Sequence, residues 1–250
     1  MTYKNVLLTG STGRLGSAIK ASNNFQNIIA PTKDILDITN TESVEKFFQN
    51  NKIDVIIHCA ALARMKICEK DPITAIKTNM IGTSNLIKNV IKKEKDIQKK
   101  IRFIQISTDG VYQGTKGNYS EKDATMPYNK YGWTKLGAEC AVQILSNFCI
   151  IRTSFFDPNE IQFDDAAIDA YSSKVTIDYL VTAIKKMVDG NFTGIINIGE
   201  ERKSEYERYK KFKSSIKKCK FKDIKKHAQI PLAKDSSMNC NKWMNMGYKL

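Results

Sequence analysis

Short apolar runs and helical stripes alternate along most of this chain. Val6–Thr9 has the run of a strand, and a helical pattern follows from Gly13 to Ala21. Ile28-Ile29-Ala30 predicts a short second strand, stopped by Pro31. Thr39-Asn40-Thr41-Glu42 has capping-box spacing, and Val44, Phe47 and Phe48 then share one helical face. Ile53–Cys59 is apolar on both sides, which predicts a central strand of a parallel sheet. Asp71-Pro72 supplies an N-cap and a first-turn proline for a long helix bearing Ile76, Met80, Leu86, Ile87 and Val90. Ile101–Ile106 predicts a fourth strand, Tyr131–Leu145 a helix, and Phe148–Ile151 a fifth strand. Ile177–Val188 carries a stripe at Leu180, Val181, Ile184 and Met187, and Ile195–Ile198 predicts a sixth strand. This rhythm implies an α/β fold, a Rossmann-type doubly wound parallel sheet. Beyond Gly199 strands vanish, charge rises and amphipathicity weakens. Residues 1–155 with 175–199 are therefore expected to form the main sheet domain. Segments 156–174 and 200–250, each too short for a domain, are expected to form a small substrate-binding cap over one end of the sheet.

The junction after the first strand, Gly10-Ser11-Thr12-Gly13-Arg14-Leu15-Gly16, has glycines three apart between a strand and a helix. Backbone N–H groups at such a helix start favour an anion, and glycine lets a pyrophosphate come close. A dinucleotide is the first ligand this pattern implies, with strand before and helix after as the context that supports it.

Composition narrows the class. The 250 residues are 42% hydrophobic, enough for one sizeable core. No uncharged apolar run approaches a membrane span, and Met1–Asn5 lacks the apolar core of a signal peptide. The six cysteines show no C-x-x-C spacing; Cys59 and Cys149 fall inside strand patterns and read as packing thiols of a reduced, cytoplasmic protein. With only two histidines a histidine-rich metal site is excluded, and His58 reads as a core residue. The net charge of +14 concentrates between Arg202 and Lys226, where twelve basic residues face three acidic ones. A solvated lysine-rich face accounts for this; no zinc-finger spacing or aromatic-basic motif accompanies it to indicate nucleic acid.

Candidate chemistry gathers at strand ends. Ser107-Thr108-Asp109 closes the fourth strand, Tyr131 and Lys135 share one face of the next helix, and Arg152-Thr153-Ser154-Phe155 closes the fifth strand. An ammonium about 4 Å from a phenol stabilises the phenolate by ~4 kcal/mol at an effective dielectric near 20. That is roughly three pKa units, enough to bring a tyrosine towards neutrality as a proton donor or acceptor. Thr108 supplies a second hydrogen bond to the same ligand oxygen. Tyr-x-x-x-Lys occurs four times; Tyr112/Lys116, Tyr206/Lys210 and Tyr209/Lys213 read as surface pairs, because only Tyr131/Lys135 follows the Ser107-Thr108 strand.

Taken in order, Gly10-x-x-Gly13-x-x-Gly16, Asp37-Ile38, Cys59-Ala60-Ala61, Asn79, Ser107-Thr108-Asp109-Gly110-Val111-Tyr112-Gln113-Gly114, Tyr131-Gly132-Trp133-Thr134-Lys135 and Arg152-Thr153-Ser154-Phe155 resemble an extended short-chain dehydrogenase/reductase. Within that superfamily the chain is most similar to the dTDP-4-dehydrorhamnose reductase group of sugar-nucleotide reductases, over residues 6 to about 206. Pro231–Ser237 resembles the group's closing segment less specifically.

The resemblance implies Thr108, Tyr131 and Lys135 as the catalytic set, with Tyr131 protonating a ketone oxygen and Lys135 also holding the nicotinamide ribose. It implies that Gly10, Thr12, Gly13, Arg14, Leu15 and Gly16 cradle the pyrophosphate, and that Asp37 and Ile38 flank the adenine. Ala60 and Ala61 would line the cofactor, with Ser154 and Phe155 near the nicotinamide; Asn79 belongs to the same set, more as a helix-positioning hydrogen bonder. Thr32 and Lys33 follow the second strand and suit a 2′-phosphate, with Arg14 assisting and Asp34 opposing, so NADPH is expected and NADH possible. The implied substrate is a nucleotide-diphosphate sugar, and the implied reaction is reduction of the 4-keto group of a 4-keto-6-deoxy sugar. Gly110 stands where dehydratases of this fold carry a glutamate, which argues against a 4,6-dehydratase. The trimmed cap allows reliance on a second subunit as a homodimer. Non-catalytic regulatory subunits and nucleotide-sugar epimerases of the same fold stay open as alternatives.

Overall fold

A computed structural model describes residues 3–247. In chain order its elements begin β1 (Val6–Thr9), α1 (Arg14–Ala21), β2 (Ile28–Ile29), α2 (Thr41–Asn50), β3 (Val55–His58), α3 (Met65–Lys70) and α4 (Pro72–Ile76). A π-helical turn (Lys77–Ile81) leads into α5 (Gly82–Ile97), then β4 (Arg102–Ile106), a 3₁₀ turn (Asp109–Val111), α6 (Lys130–Val142) and β5 (Phe148–Arg152). Short strands β6 (Phe155–Phe156), β7 (Asp165–Ala167), β8 (Tyr171–Ser172) and β9 (Val175–Thr176) precede α7 (Ile177–Asp189) and β10 (Gly194–Asn197). The remainder forms β11 (Lys203–Ser204), α8 (Glu205–Lys210), β12 (Lys217–Cys219), α9 (Phe221–Ala228) and α10 (Asn241–Met244).

Six strands form one parallel sheet in the order β2-β1-β3-β4-β5-β10, the doubly wound arrangement expected from the alternating pattern. The chain leaves β1 for β2 on one side and returns to β3 on the other, so the carboxyl ends of β1 and β3 open the crevice where this fold binds ligands. Both sheet faces are covered. Leu15 and Ile19 of α1 and Leu180, Val181 and Ile184 of α7 pack on one face; Val44, Phe47 and Phe48 of α2, Leu86 and Val90 of α5 and Val142 of α6 pack on the other.

Three expectations need correction. The cap of α2 is Asn40, whose side chain accepts from Ser43 N at 3.0 Å; Thr39 instead turns its hydroxyl and N–H onto Asp37. Strands do not vanish after Gly199. Ser204 pairs with Tyr171 and Lys217–Cys219 with Asp165–Ala167, so two-residue and three-residue partners drawn from both cap segments make small sheets that no local pattern announces. Tyr112 and Tyr209 are not surface tyrosines: Tyr112 is fully buried and bonded to Asn197, and Tyr209 packs with Phe156, Ala166 and Ile216.

A buried polar chain ties these layers together. Glu139 of α6 takes Arg152 Nη2 at 2.7 Å and also the Ser107 hydroxyl; Arg152 Nη1 donates to the Tyr112 hydroxyl at 3.0 Å. The Tyr112 hydroxyl donates to Asn197 Oδ1 at 2.9 Å, and Asn197 Nδ2 donates to Tyr119 O at 2.8 Å. Removing one partner of a fully buried ion pair strands the other charge. Glu139→Ala is expected to destabilise the fold by about 3–5 kcal/mol, read as a lowered urea midpoint; a midpoint within error of the parent protein would contradict this.

Candidate active site

Gly10 leaves β1 at φ +70°, and a Cβ there would lie 2.5 Å from Ala60 N on the far side of the crevice. A Cβ at Gly16 would lie 2.1 Å from Gly10 O. Glycine is therefore required at both ends of the turn, which brings the start of α1 against the loop after β3. Gly13 is the N-cap, exposed and without a side chain to satisfy the first helical N–H groups. Thr12 and Arg14 are exposed beside it, and Leu15 is buried below. A pyrophosphate fits this junction: it meets free N–H donors at a helix start and a surface kept clear of side chains.

The other cofactor candidates occupy the rim unevenly. Ala60 and Ala61 are half-buried after β3, and Ser154 and Phe155 are half-buried after β5. Ile38 is buried with its Cδ1 against Gly82, while the Asp37 carboxylate is engaged by Thr39. Thr32 and Lys33 are exposed at the end of β2, with Lys33 Nζ 3.9 Å from Asp37. Arg14 is turned towards the cap, 3.4 Å from Glu160. An open groove of about 860 Å³ on this edge, lined by Pro31, Asp34, Ile35 and Lys46, reaches none of the strand-end chemistry.

Asn79 lies in the π-helical turn and is fully committed to the protein. Its amide accepts from Leu62 N at 2.7 Å, donates to Leu62 O at 3.1 Å and donates to Thr134 Oγ1 at 2.8 Å. It locks the loop after β3 to α6 and leaves no donor for a cofactor. His58 is likewise internal. Thr83 donates to Asn79 O, so it accepts from His58 Nε2, leaving His58 Nδ1 to accept from Thr9 at 2.6 Å. Burial lowers His58 to about 3, so the ring stays neutral.

Asn129 caps α6 by accepting from Gly132 N at 2.8 Å. A Cβ at Gly132 would lie 2.2 Å from Gly110 O, so α6 begins hard against the turn after β4. This contact brings the Tyr131 phenol beside Thr108 and Asp109. Thr108 Oγ1 also accepts from Gly110 N at 3.0 Å and donates to Asp109 Oδ1 at 3.2 Å. Ser236 Oγ donates to the other oxygen of Asp109 at 2.7 Å. Asp109 is raised above the usual carboxylate range by burial, against the pull of Ser236, Lys174 and Thr108.

Lys135 sits one turn along but does not tune Tyr131 as expected. Its Nζ donates to Ile106 O at 2.7 Å, and burial lowers it to about 8 against the opposing pull of Glu139 and Cys59. Tyr131 is pushed up, not towards neutrality, because burial and the Asp109 carboxylate both disfavour the phenolate. The structure thus brings Tyr131 beside Thr108, places Lys135 behind the strand end, and adds Asp109 and Ser236. Ser236 was invisible as a site residue because 127 residues separate it from Asp109. Lys174, half-buried against Glu205 (2.8 Å) and Tyr209 (3.2 Å), was missed for the same reason.

The crossover topology, glycine turn and Tyr131–Thr108 contact define an extended short-chain dehydrogenase/reductase fold. Residues 4–164 match the RmlD substrate binding domain family, and the chain belongs to it. The chain is similar to methionine adenosyltransferase 2 subunit beta of Rattus norvegicus, 32% identical over 148 residues, 56% of this chain and 42% of the relative. It is similar to dTDP-4-dehydrorhamnose reductase of Mycolicibacterium smegmatis, 29% identical over 208 residues, 75% of this chain and 61% of the relative. In both cases the match spans less than two thirds of the relative's length. A crystal structure of dTDP-4-dehydrorhamnose reductase from Bacillus anthracis in complex with NADP superimposes with a TM-score of 0.85 at 25% identity, covering 98% of this chain and 94% of that one. No helix among the described residues is long and apolar enough to cross a membrane.

With Lys135 near 8 and ordinary lysines near 10.5, the folded protein releases this proton first as pH rises. The unfolded chain holds more protons between those values, so this group makes the fold more stable as pH climbs through that window. A proton-release titration is expected to show one lysine near pH 8 that disappears in Lys135→Met; a profile unchanged by the substitution would contradict the assignment.

Proposed function

We propose that this protein is an NADPH-dependent oxidoreductase that reduces the 4-keto group of a nucleotide-linked 4-keto-6-deoxy sugar. The observation that carries this is the placement of the Tyr131 phenol beside Thr108 and Asp109 at the carboxyl end of β4, together with a glycine turn that suits a pyrophosphate. The similarity to dTDP-4-dehydrorhamnose reductases, one of them described in complex with NADP, supports it.

When bound, the nicotinamide cofactor supplies the hydride. Tyr131, kept protonated by burial and by Asp109, gives its proton to the oxygen that becomes the new hydroxyl. Thr108 donates a second hydrogen bond to that oxygen once its proton turns from Asp109. Lys135 holds the nicotinamide ribose hydroxyls. Gly10, Gly13 and Gly16 receive the pyrophosphate. Thr32 and Lys33 receive the 2′-phosphate, which is why NADPH is preferred to NADH. Gly110 brings no carboxylate to the site, so the elimination of water that a glutamate there would promote is not part of this reaction.

The similarity to methionine adenosyltransferase 2 subunit beta favours a second reading, a regulatory subunit that keeps the fold. A protein with only that role has no need of an acid tyrosine, and Thr108, Tyr131 and Lys135 are all present. Tyr131→Phe decides between them. On the reductase reading it lowers kcat by about 10²–10⁴-fold in NADPH oxidation with dTDP-4-keto-6-deoxyhexose, while NADPH still binds; full turnover in the variant rejects the proposed proton donor, and no turnover in the parent protein favours the regulatory reading. Catalytic efficiency is also expected to favour NADPH over NADH by about tenfold or more, and a preference for NADH would reject the roles of Thr32 and Lys33.

A further inference from the structure

We propose that Tyr128 is a specificity-determining contact for the substrate, its phenol donating to the hydroxyl on the sugar carbon next to the keto group. This rests on the reductase reading above and deepens it.

Tyr128 directly precedes Asn129, so the cap of α6 fixes its backbone. Two glycines make its berth. A Cβ at Gly114, where φ is +72°, would lie 3.0 Å from Tyr128 Cδ1; a Cβ at Gly110 would lie 3.8 Å from the Tyr128 hydroxyl and 3.3 Å from Thr108 Oγ1. The ring therefore runs from Gly114 towards Gly110 and ends at the same small space that Thr108 faces. Ala233 backs Gly114 from the closing segment. Tyr128 is half-buried, and among the described residues its hydroxyl takes no hydrogen bond. The phenols of Tyr112 and Tyr209 differ: Tyr112 is spent on Asn197 and Arg152, and Tyr209 on Lys174. A hydroxyl left unpaired at the mouth of a site is a donor for a ligand, since pairing it there restores a hydrogen bond otherwise made with water. Burial, with Asp109 adding to it against Lys174, keeps this phenol protonated.

The sugar's chemistry then selects the contact. In a 4-keto-6-deoxyhexose, C5 carries the methyl group and the ring oxygen, so C3 alone offers a hydroxyl beside the carbonyl. With Thr108 and Tyr131 on the carbonyl oxygen, Tyr128 meets the C3 hydroxyl across the space that Gly110 leaves clear.

The test pairs Tyr128→Phe with a dTDP-linked 4-keto-6-deoxyhexose and its 3-deoxy counterpart. Steady-state constants with NADPH are measured, together with calorimetric binding of the corresponding reduced sugar nucleotides in the presence of NADP⁺. The variant is expected to raise KM and Kd for the 3-hydroxy sugars by about tenfold, with kcat within about twofold and NADPH KM unchanged, and to leave the 3-deoxy sugars within about twofold. Gly110→Ala, which fills the space itself, is expected to weaken both sugars. Equal constants for Tyr128→Phe and the parent protein, or equal losses on the 3-hydroxy and 3-deoxy sugars, would overturn the proposal. If the parent protein binds these sugars without oxidising NADPH, the reductase reading falls while the Kd ratios still decide the role of Tyr128.

Discussion

The ion pair between Arg152 and Glu139 holds the site helix to the sheet, and the rest of the site is built outward from it. Both groups are withdrawn from water, which costs several kcal/mol per ion before their attraction and hydrogen bonds offset it. Two apolar residues would fill the space with less penalty. They would also let α6 slide or rotate, because apolar packing has no preferred direction. Glu139 instead receives Arg152 from β5 and Ser107 from β4 at once, so the helix has a single register against two strand ends. Lys135 lies one turn back and Tyr131 two turns back on the same helix, and both inherit that register. Asn79 repeats the device from the opposite side, through Thr134.

Burial also decides the protonation pattern. Lys135 is drawn down and Tyr131 is driven up, so the phenol keeps its proton and the lysine is the group closest to losing one at neutral pH. This pattern suits a protein that delivers a proton to an oxygen gaining charge, the direction required for carbonyl reduction. Asp109 enforces it. An acidic group beside the phenol raises its pKa, and Ser236 and Thr108 hold that carboxyl in place.

Most of the fold was legible because parallel strands covered on both faces read as continuous apolar runs, and Val6–Thr9, Ile53–Cys59 and Ile101–Ile106 do so. The glycine turn was legible because its spacing answers a steric demand that no other residue meets. The cap was not legible. Its strands are two or three residues long, and their pairing energy comes from partners about 30 to 50 positions away rather than from local alternation. That Tyr131 lies near Thr108 followed from topology, whereas the electrostatics of its phenol did not. Four-residue spacing places Lys135 on the right face but says nothing of the Ile106 carbonyl that captures it. Tyr112 was misjudged as superficial because its nearest lysine in sequence mattered less than Arg152 and Asn197.

The closing stretch from Ala233 to Met238 threads back over the site, with Lys234 and Asp235 bonded to Gly114 and Ser237 accepting from Tyr119. During synthesis the six-stranded sheet can assemble once Asn197 has left the ribosome, yet Asp109 lacks its serine partner until Ser236 follows. The nascent chain thus presents all six strands of the sheet well before the serine that seats Asp109.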